Sequence, residues 1–277
     1  MKIKTTPVIW IIFFVISLIV LNEIAQQYIE PREIVISQQQ AQEIGEKIWQ
    51  NEGAGKTQNL IVWNKNENFP SLGIGHFIWY PEGVEHQFQE SFPSLIQHIS
   101  KTKKIPQWLI DTKYPPWNSR ESFNIQIHST YTRQLREFLQ ETTAEQTQFI
   151  VQRLEEALPT MLKTIKSGFA RQKVRENFYH IAMQKNGIYA LVDYVNFKGE
   201  GVSPKEKYNN QGWGLLQVLE NMNGRSEDLM LAFVESADRQ LTRRVANAPG
   251  ERSASEKKWL PGWRKRLQTY LTVDEKS

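Results

Sequence analysis

The sequence predicts a mainly helical α+β fold with one small antiparallel β-hairpin, preceded by an N-terminal membrane anchor. Three observations predict it. Apolar residues recur at helical spacing behind capping patterns that open at Ser37 and Thr143. Two short apolar and aromatic segments, 61–63 and 72–79, flank the turn-rich NKNENFP. An uncharged apolar run, VIWIIFFVISLIVL over 8–21, follows Lys2 and Lys4.

Composition narrows the function classes. A chain of 277 residues suits one large domain or a two-lobed one. A hydrophobic fraction of 40% with nine Trp, nine Tyr and thirteen Phe supplies a core and excludes a disordered composition. The net charge of +4 is mild and its lysines and arginines are spread along the chain. That pattern gives no nucleic-acid footprint and is compatible with an anionic polymer such as a cell wall. The absence of cysteine excludes disulfides, thiolate catalysis, Cys-ligated metals and a lipoprotein anchor. The five histidines show no metal-ligand spacing, and no acidic calcium loop occurs. Gly53-Ala54-Gly55-Lys56-Thr57 lacks the first glycine of a phosphate-binding loop, whose place Gln50 holds. No metal and no cofactor are expected.

In chain order, residues 1–24 read as a signal anchor. The apolar run is short for a spanning helix, which needs about 20 residues, but 5–7 and Asn22 extend it. A cleavage site wants small residues, and the nearby Ala25 has Glu23 at its minus-three position. An uncleaved, single-pass anchor in the inner membrane is expected, with the lysines cytoplasmic and the domain on the periplasmic or extracytoplasmic side. Residues 25–36 form a tether broken by Pro31, and 37–277 form the folded domain.

Ser37 and Gln40 make a capping box, and Ala41, Ile44 and Ile48 follow on one helical face. Glu52 falls on that face one turn on, and Gly53 and Gly55 stop the helix. A carboxyl there is expected to be partly desolvated and to feel the negative end of the helix dipole. Both effects favour its neutral form, as a general acid requires. Alone, Glu52 would read as an ordinary helix-end residue; the segment after it changes that reading. Gly73 and Gly75 alternate with Ile74, leaving a strand face bare for a sugar chain or another backbone. His76 is expected to pack and hydrogen-bond rather than act as a base.

Residues 81–141, punctuated by prolines, read as an insertion, with Trp108 and Trp117 expected in the core. Helices follow at 143–166, where Thr143 and Gln146 suggest another capping box, then at 171–185 and 187–198. Gly199-Glu200-Gly201 opens a polar loop, and a helix begins near Gly212-Trp213-Gly214-Leu215. Ser226 is expected to cap a helix over 227–246, with a polar loop over 247–255 and a last helix over 257–272 broken at Pro261-Gly262.

From Trp49 to Tyr80 the order is Glu52-Gly53, loop, aromatic Trp63, polar loop, then Ser71-x-Gly73-x-Gly75-His76. This order resembles the phage-type lysozymes and the wider lysozyme-like superfamily. The resemblance implies a small antiparallel hairpin lobe, a larger helical lobe and a cleft between them. It implies a glycosidase acting on a β-1,4-linked amino-sugar polymer, peptidoglycan first and chitosan-like polymers next. It makes Glu52 the general acid and Ser71 the residue that orients the attacking water. Trp63, Asn64, Gly73, Gly75 and His76 would line the substrate site. The family's second acid has Asn64 nearest its position here, and Glu67 is the only acid between Gly53 and Glu82 that could replace it. Glu200, ahead of Gly212-x-Gly214-Leu215, faintly resembles the glutamate of lytic transglycosylases. Equally, Ala190-Leu191 to Gly199-Glu200 resembles the far wall of the lysozyme cleft.

Three readings stay open on sequence: Glu52 with Glu67 as a hydrolytic pair, Glu52 alone as a lytic transglycosylase acid, or a degenerate, membrane-tethered glycan-binding scaffold. The sequence carries no sign of oligomeric state.

Overall fold

The structure is a computed structural model that describes residues 33–272, apart from 66, 87, 205 and 206. The expected anchor, 1–24, and most of the tether, 25–36, lie outside the described residues. The chain divides into Met1–Glu33 and Ile34–Ser277, and the second unit carries every element below.

Helix α1, Gln38–Gly53, starts at the capping box read from the sequence. The Gln40 N–H donates to the Ser37 hydroxyl at 3.2 Å, and the Ser37 N–H donates to the Gln40 side chain at 2.9 Å. It ends where Ala54 takes a left-handed conformation, with φ 51°. Its buried stripe, Ala41, Gly45 and Ile48, lies on α6, Thr143–Lys163. A Cβ at Gly45 would come within 2.5 Å of the Thr147 hydroxyl, so glycine permits that close approach.

A 3-10 turn, Thr57–Leu60, leads into a three-stranded antiparallel sheet: β1 (Ile61–Val62), β2 (Ser71–Leu72) and β3 (Phe77–Ile78). Leu72 is the hinge of its register, opposite Ile61 on one side and Phe77 on the other. The expected two-stranded hairpin is therefore corrected. Segment 72–79 is two short strands, broken by a turn at 73–76 in which Gly73 has φ 70° and His76 φ 50°.

The turn has a physical cause inside the protein. The Gln146 side-chain oxygen accepts the Ile74 N–H at 2.9 Å, and a Cβ on Gly73 would lie 2.2 Å from that oxygen. A Cβ on Gly75 would meet the Phe77 ring at 2.8 Å and Ile150 at 3.0 Å. The bare face, expected to admit a sugar chain or another backbone, is thus approached by side chains of α6 and of the sheet itself. Gln146 also donates to the Leu139 carbonyl at 2.6 Å and to the Thr142 hydroxyl at 3.2 Å. It is fully buried and caps nothing, so the capping box expected at Thr143 gives way to this inward clamp.

Residues 81–141 hold four helices: α2 (Phe92–Ile99), α3 (Gln107–Ile110), α4 (Arg120–Ile125) and α5 (Thr130–Glu141). Trp117 is wholly buried there. After α6 come α7 (Gly168–Ala182) and α8 (Gly187–Lys198). A hairpin of β4 (Lys207–Tyr208) and β5 (Gln211–Gly212) precedes α9 (Leu215–Asn221), α10 (Leu229–Asn247) and α11 (Gly250–Gln268).

Several boundaries differ from expectation: α7 runs Gly168–Ala182 rather than 171–185, and two further differences have a local cause. The cap of α10 is Asp228, which accepts the Leu231 N–H at 2.8 Å, and not Ser226. Helix α11 begins at Gly250, inside the expected polar loop, and runs through Pro261-Gly262 without a break. Pro261 is exposed, so water can satisfy the carbonyl it deprives of an N–H partner, and the helix tolerates it.

The result is a mainly helical α+β fold with two small antiparallel sheets and one extended apolar core. Among the described residues no helix is long and apolar enough to cross a membrane.

Gln146→Leu strands the buried Ile74 N–H and Leu139 carbonyl together. An unsatisfied buried polar group costs roughly 1–3 kcal/mol, so a loss of about 2–4 kcal/mol in urea unfolding is expected. A loss below about 1 kcal/mol would contradict the clamp.

Candidate active site

Asp193 lies in the apolar run of α8 and is completely buried. A carboxylate there needs several donors, and it has them. Arg266 of α11 grips it twice, Nε to Oδ2 at 2.8 Å and Nη2 to Oδ1 at 2.7 Å. The Tyr270 hydroxyl donates to Oδ2 at 2.6 Å, and the Asn51 amide donates to Oδ1 at 2.9 Å. The same amide reaches the Tyr189 hydroxyl at 2.7 Å, which pairs with Thr269 Oγ1 at 2.8 Å.

Arg266 Nη2 also holds Glu52 Oε1, at 2.5 Å. The other carboxyl oxygen of Glu52 lies 3.8 Å from His76 Nδ1. The 73–76 turn is what brings that ring to the end of α1. The Glu52 side chain is 22% exposed and His76 33%, so this edge of the cluster opens to solvent while Asp193 does not.

Electrostatics follow from the geometry. Burial alone would lower the Arg266 guanidinium, but the hydrogen bonds and charges of Asp193 and Glu52 outweigh it and hold the group above its ordinary range. Burial, with Asp193 beside it, pushes the Tyr270 hydroxyl up, and Tyr189 shifts the same way for the same reasons. Both phenols are therefore neutral, that of Tyr270 donating to Asp193 and that of Tyr189 accepting from Asn51.

Glu52 is partly removed from solvent, but its carboxyl also meets a cation that the sequence reading did not include. Ala41 and Ile48 do face the core, but by Glu52 the helix has reached α8 and α11, and a guanidinium stands against the carboxyl.

The other predicted residues divide into groups. Asn64 and Glu67 are bonded to each other, Nδ2 to Oε2 at 3.0 Å, and no hydrogen bond or ion pair joins Glu67 to Glu52. Trp63 is built into the sheet's core. Its indole donates to the Glu67 carbonyl at 2.9 Å, its own carbonyl accepts Arg120 Nε at 2.9 Å, and its ring meets Phe123 at 6.0 Å. Ser71 is buried in β2 between Val62 and Ile78. Gly73 and Gly75 shape the turn that carries His76. Glu200 sits half-buried just past α8, where burial pushes its carboxyl up and Arg153 pulls it down. Its backbone carbonyl accepts the Leu216 N–H at 3.0 Å.

Asp193, Arg266, Tyr270 and Asn51 were not singled out from sequence. An acid within the apolar face of Ile188 to Val195 was a signal that a cation must meet it. Nothing local pointed to Arg266, 73 residues away.

Beside the cluster, Lys198 ends α8 almost fully buried, its Nζ 3.8 Å from the Phe197 ring and 3.3 Å from that of Trp263. Burial, with Arg244 adding, pushes its amine down to about 6; Glu256 opposes the shift and Arg266 reinforces it. The amine is thus mostly neutral at pH 7. Arg266 also lies over the Phe197 ring, 4.4 Å from its centroid.

No protein-family model matches the sequence, and no curated protein or solved structure matches the chain. Among the described residues no group of three His, Asp or Glu is placed to hold a metal ion.

Asp193→Asn leaves the mostly buried Arg266, whose side chain is 18% exposed, with half its partner charge. Breaking a buried pair this way costs about 3–5 kcal/mol, and chemical unfolding should read a loss of that order. Lys198 titrates with a definite sign. Its folded pKa lies below its unfolded value, so the unfolded chain binds the extra proton between about pH 6 and 10. Stability from this group is therefore full at high pH and falls as pH drops toward 6. Lys198→Met should raise the thermal midpoint at pH 7 and flatten its rise with pH; a slope identical to wild type would refute the assignment.

Proposed function

We propose that the chain is a membrane-tethered glycosidase that cleaves β-1,4 bonds of an amino-sugar polymer, peptidoglycan being the first candidate, with Glu52 as general acid. One observation carries the reading: Glu52 presents a carboxyl at the solvent edge of an otherwise buried charge cluster, with one oxygen fixed by Arg266. Breaking a glycosidic bond requires a proton on the leaving oxygen, delivered by a carboxyl of fixed orientation. Arg266 supplies the orientation, since it is itself immobilised by Asp193. Two carboxylates share one guanidinium here, so a proton carried on Glu52 leaves the cluster neutral. The oxygen not held by Arg266 is the one that would deliver the proton, with His76 beside it. The order of residues from Trp49 to Tyr80 supports the substrate class by its resemblance to phage-type lysozymes.

A second reading has an observation of its own. Glu67 is bonded to Asn64 and makes no contact with Glu52, so the acid nearest in sequence is engaged elsewhere. A single acid suffices in a lytic transglycosylase reaction. There Glu52 protonates the leaving oxygen, then takes the proton of the sugar's own hydroxyl as that hydroxyl attacks.

Purified full-length protein is incubated with peptidoglycan and, separately, with chitosan, and the products are read by mass spectrometry beside Glu52→Gln. A fall of about 100-fold or more in the variant is expected, the usual scale for removing a general acid. Reducing ends favour the hydrolase and anhydro ends the lytic reaction. Turnover that persists undiminished in Glu52→Gln would move the acid to Glu200. No turnover on either polymer would leave a glycan-binding protein.

A further inference from the structure

The stretch Trp-Leu-Pro-Gly-Trp, 259–263 of α11, takes no part in the chemistry proposed above. Its glycine has no packing reason to be one. Gly262 is exposed inside a helix, where glycine costs stability against alanine, and a Cβ there would meet nothing within 4 Å. Residues three and four apart are neighbours on a helix surface, so Gly262 is bordered by Lys258, Trp259, Lys265 and Arg266. Trp259 and Arg266 share one side of it, and the two lysines share the other. This part of α11 is thus a shallow trough with a bare floor, one aromatic flank and one cationic flank.

The aromatic flank continues to the candidate acid. Trp259 is 53% exposed and Trp263 is half-buried, with their rings 6.1 Å apart. Phe197, also half-buried, meets Trp263 at 6.2 Å, and the Arg266 guanidinium lies over the Phe197 ring. Arg266 in turn holds Glu52. The nearly buried Lys198 amine lies over the Trp263 ring, so the core supports that ring and its remaining exposure is outward. At a rise of about 1.5 Å per residue, Trp263 and Trp259 stand roughly 4.5 and 10.5 Å along α11 from Arg266. An extended chain leaving Glu52 along α11 would pass them in succession.

The cationic flank is open. Neither Lys258 nor Lys265 forms an ion pair among the described residues, and no acid stands three or four positions from either. Acids on and around α11 already answer other cations: Glu256 pairs with Arg244, Asp238 with Arg264 and Glu52 with Arg266. Glu251, the remaining acid of α11, lies in its first turn.

We propose that this trough is the binding track for the glycan, and that it selects amino-sugar chains bearing carboxylates, as peptidoglycan strands do, over cationic chitosan-like chains. The assignment rests on the glycosidase reading for what lies at its Glu52 end. Flat rings suit the C–H faces of sugar rings, the bare floor leaves room for the chain, and the lysines are placed to meet its carboxylates.

The test is binding by full-length protein carrying Glu52→Gln, which holds a chain without the proposed acid. Isothermal titration compares three probes: peptidoglycan glycan strands freed of their peptides, an N-acetylglucosamine hexamer and a glucosamine hexamer. The acidic strands should bind most tightly and the glucosamine hexamer least. Gly262→Leu, added to this protein, should weaken strand binding about tenfold or more by filling the floor. Leucine is the better helix former, so the thermal midpoint should hold or rise, a separation that a merely structural role would not produce. Trp259→Ala should weaken both acetylated probes. Lys258→Gln with Lys265→Gln should bring the strands to the level of the N-acetylglucosamine hexamer. Strand binding unchanged in Gly262→Leu or in Trp259→Ala, or equal binding of all three probes, would overturn the proposal. Binding of none of them would overturn it too and leave the trough to a lipid or protein surface. Turnover is measured in parallel with the protein that keeps Glu52. Turnover lost in Glu52→Gln, with strand binding indifferent to the trough variants, overturns the track alone; strand binding without turnover overturns the acid alone.

Discussion

A single buried carboxylate constrains this molecule more than any other group. Asp193 sits on a helix whose neighbours are apolar, and a charge so placed is tolerable only if it is paired and hydrogen-bonded. Arg266 answers it from the last helix, with Tyr270, four residues on, and Asn51 from the first helix completing the shell. Three elements distant in sequence are thereby tied at one point. A buried pair of this kind adds little net stability over an apolar substitute, but it penalises every arrangement that leaves one partner alone. Its effect here is to fix where α1, α8 and α11 meet, and therefore where Glu52 points.

The second tie is neutral. Gln146 of α6 accepts from the turn between β2 and β3 with its amide oxygen and donates to the Leu139 carbonyl of α5 with its amide nitrogen. The turn determines where His76 lies, so the solvent edge beside Glu52 is defined by two buried polar contacts approaching from opposite sides. One holds the carboxyl and the other holds the turn that carries the ring. Behind Arg266 the packing continues through Phe197, Lys198 and Trp263 to Arg244, which pairs with the buried Glu256. Lys198 is tolerated between two arginines because its amine is mostly uncharged there at neutral pH.

What could be read from the sequence was local. The capping box at Ser37 and Gln40 needs only four residues, and it is present as expected. The helix over 187–198 was legible because its apolar face is broad and glycines flank it. The glycines at 73 and 75 were visible as a need for space, but the sequence does not say whether a ligand or a side chain fills that space. Gln146, 73 residues from Gly73, fills it. The same residue looked like a helix cap because a glutamine three positions after a threonine has that spacing. Pro261-Gly262 looked like a break because the penalty of proline is local, while its tolerance depends on which carbonyl faces water. In each case the missing information was tertiary: a contact across the chain for the glycines and Gln146, and exposure to water for Pro261.

The site itself was half legible for the same reason. Glu52 stood out through its neighbours in sequence, whereas the residues that govern it, Asp193 and Arg266, lie 141 and 214 positions away. This changes the chemical argument for Glu52. An acid made reactive by apolar burial would be loosely oriented and would bind its proton because nothing else is near. Glu52 instead shares a guanidinium already committed to Asp193, so its orientation is imposed and one of its oxygens is spent. The other oxygen lies beside His76 at the solvent edge. A carboxyl held in that way can both give a proton to a leaving oxygen and take one back without moving. The proposed single-acid reaction would demand such a carboxyl, and under that proposal the absence of contact from Glu67 would bear on the product formed rather than on whether a site exists.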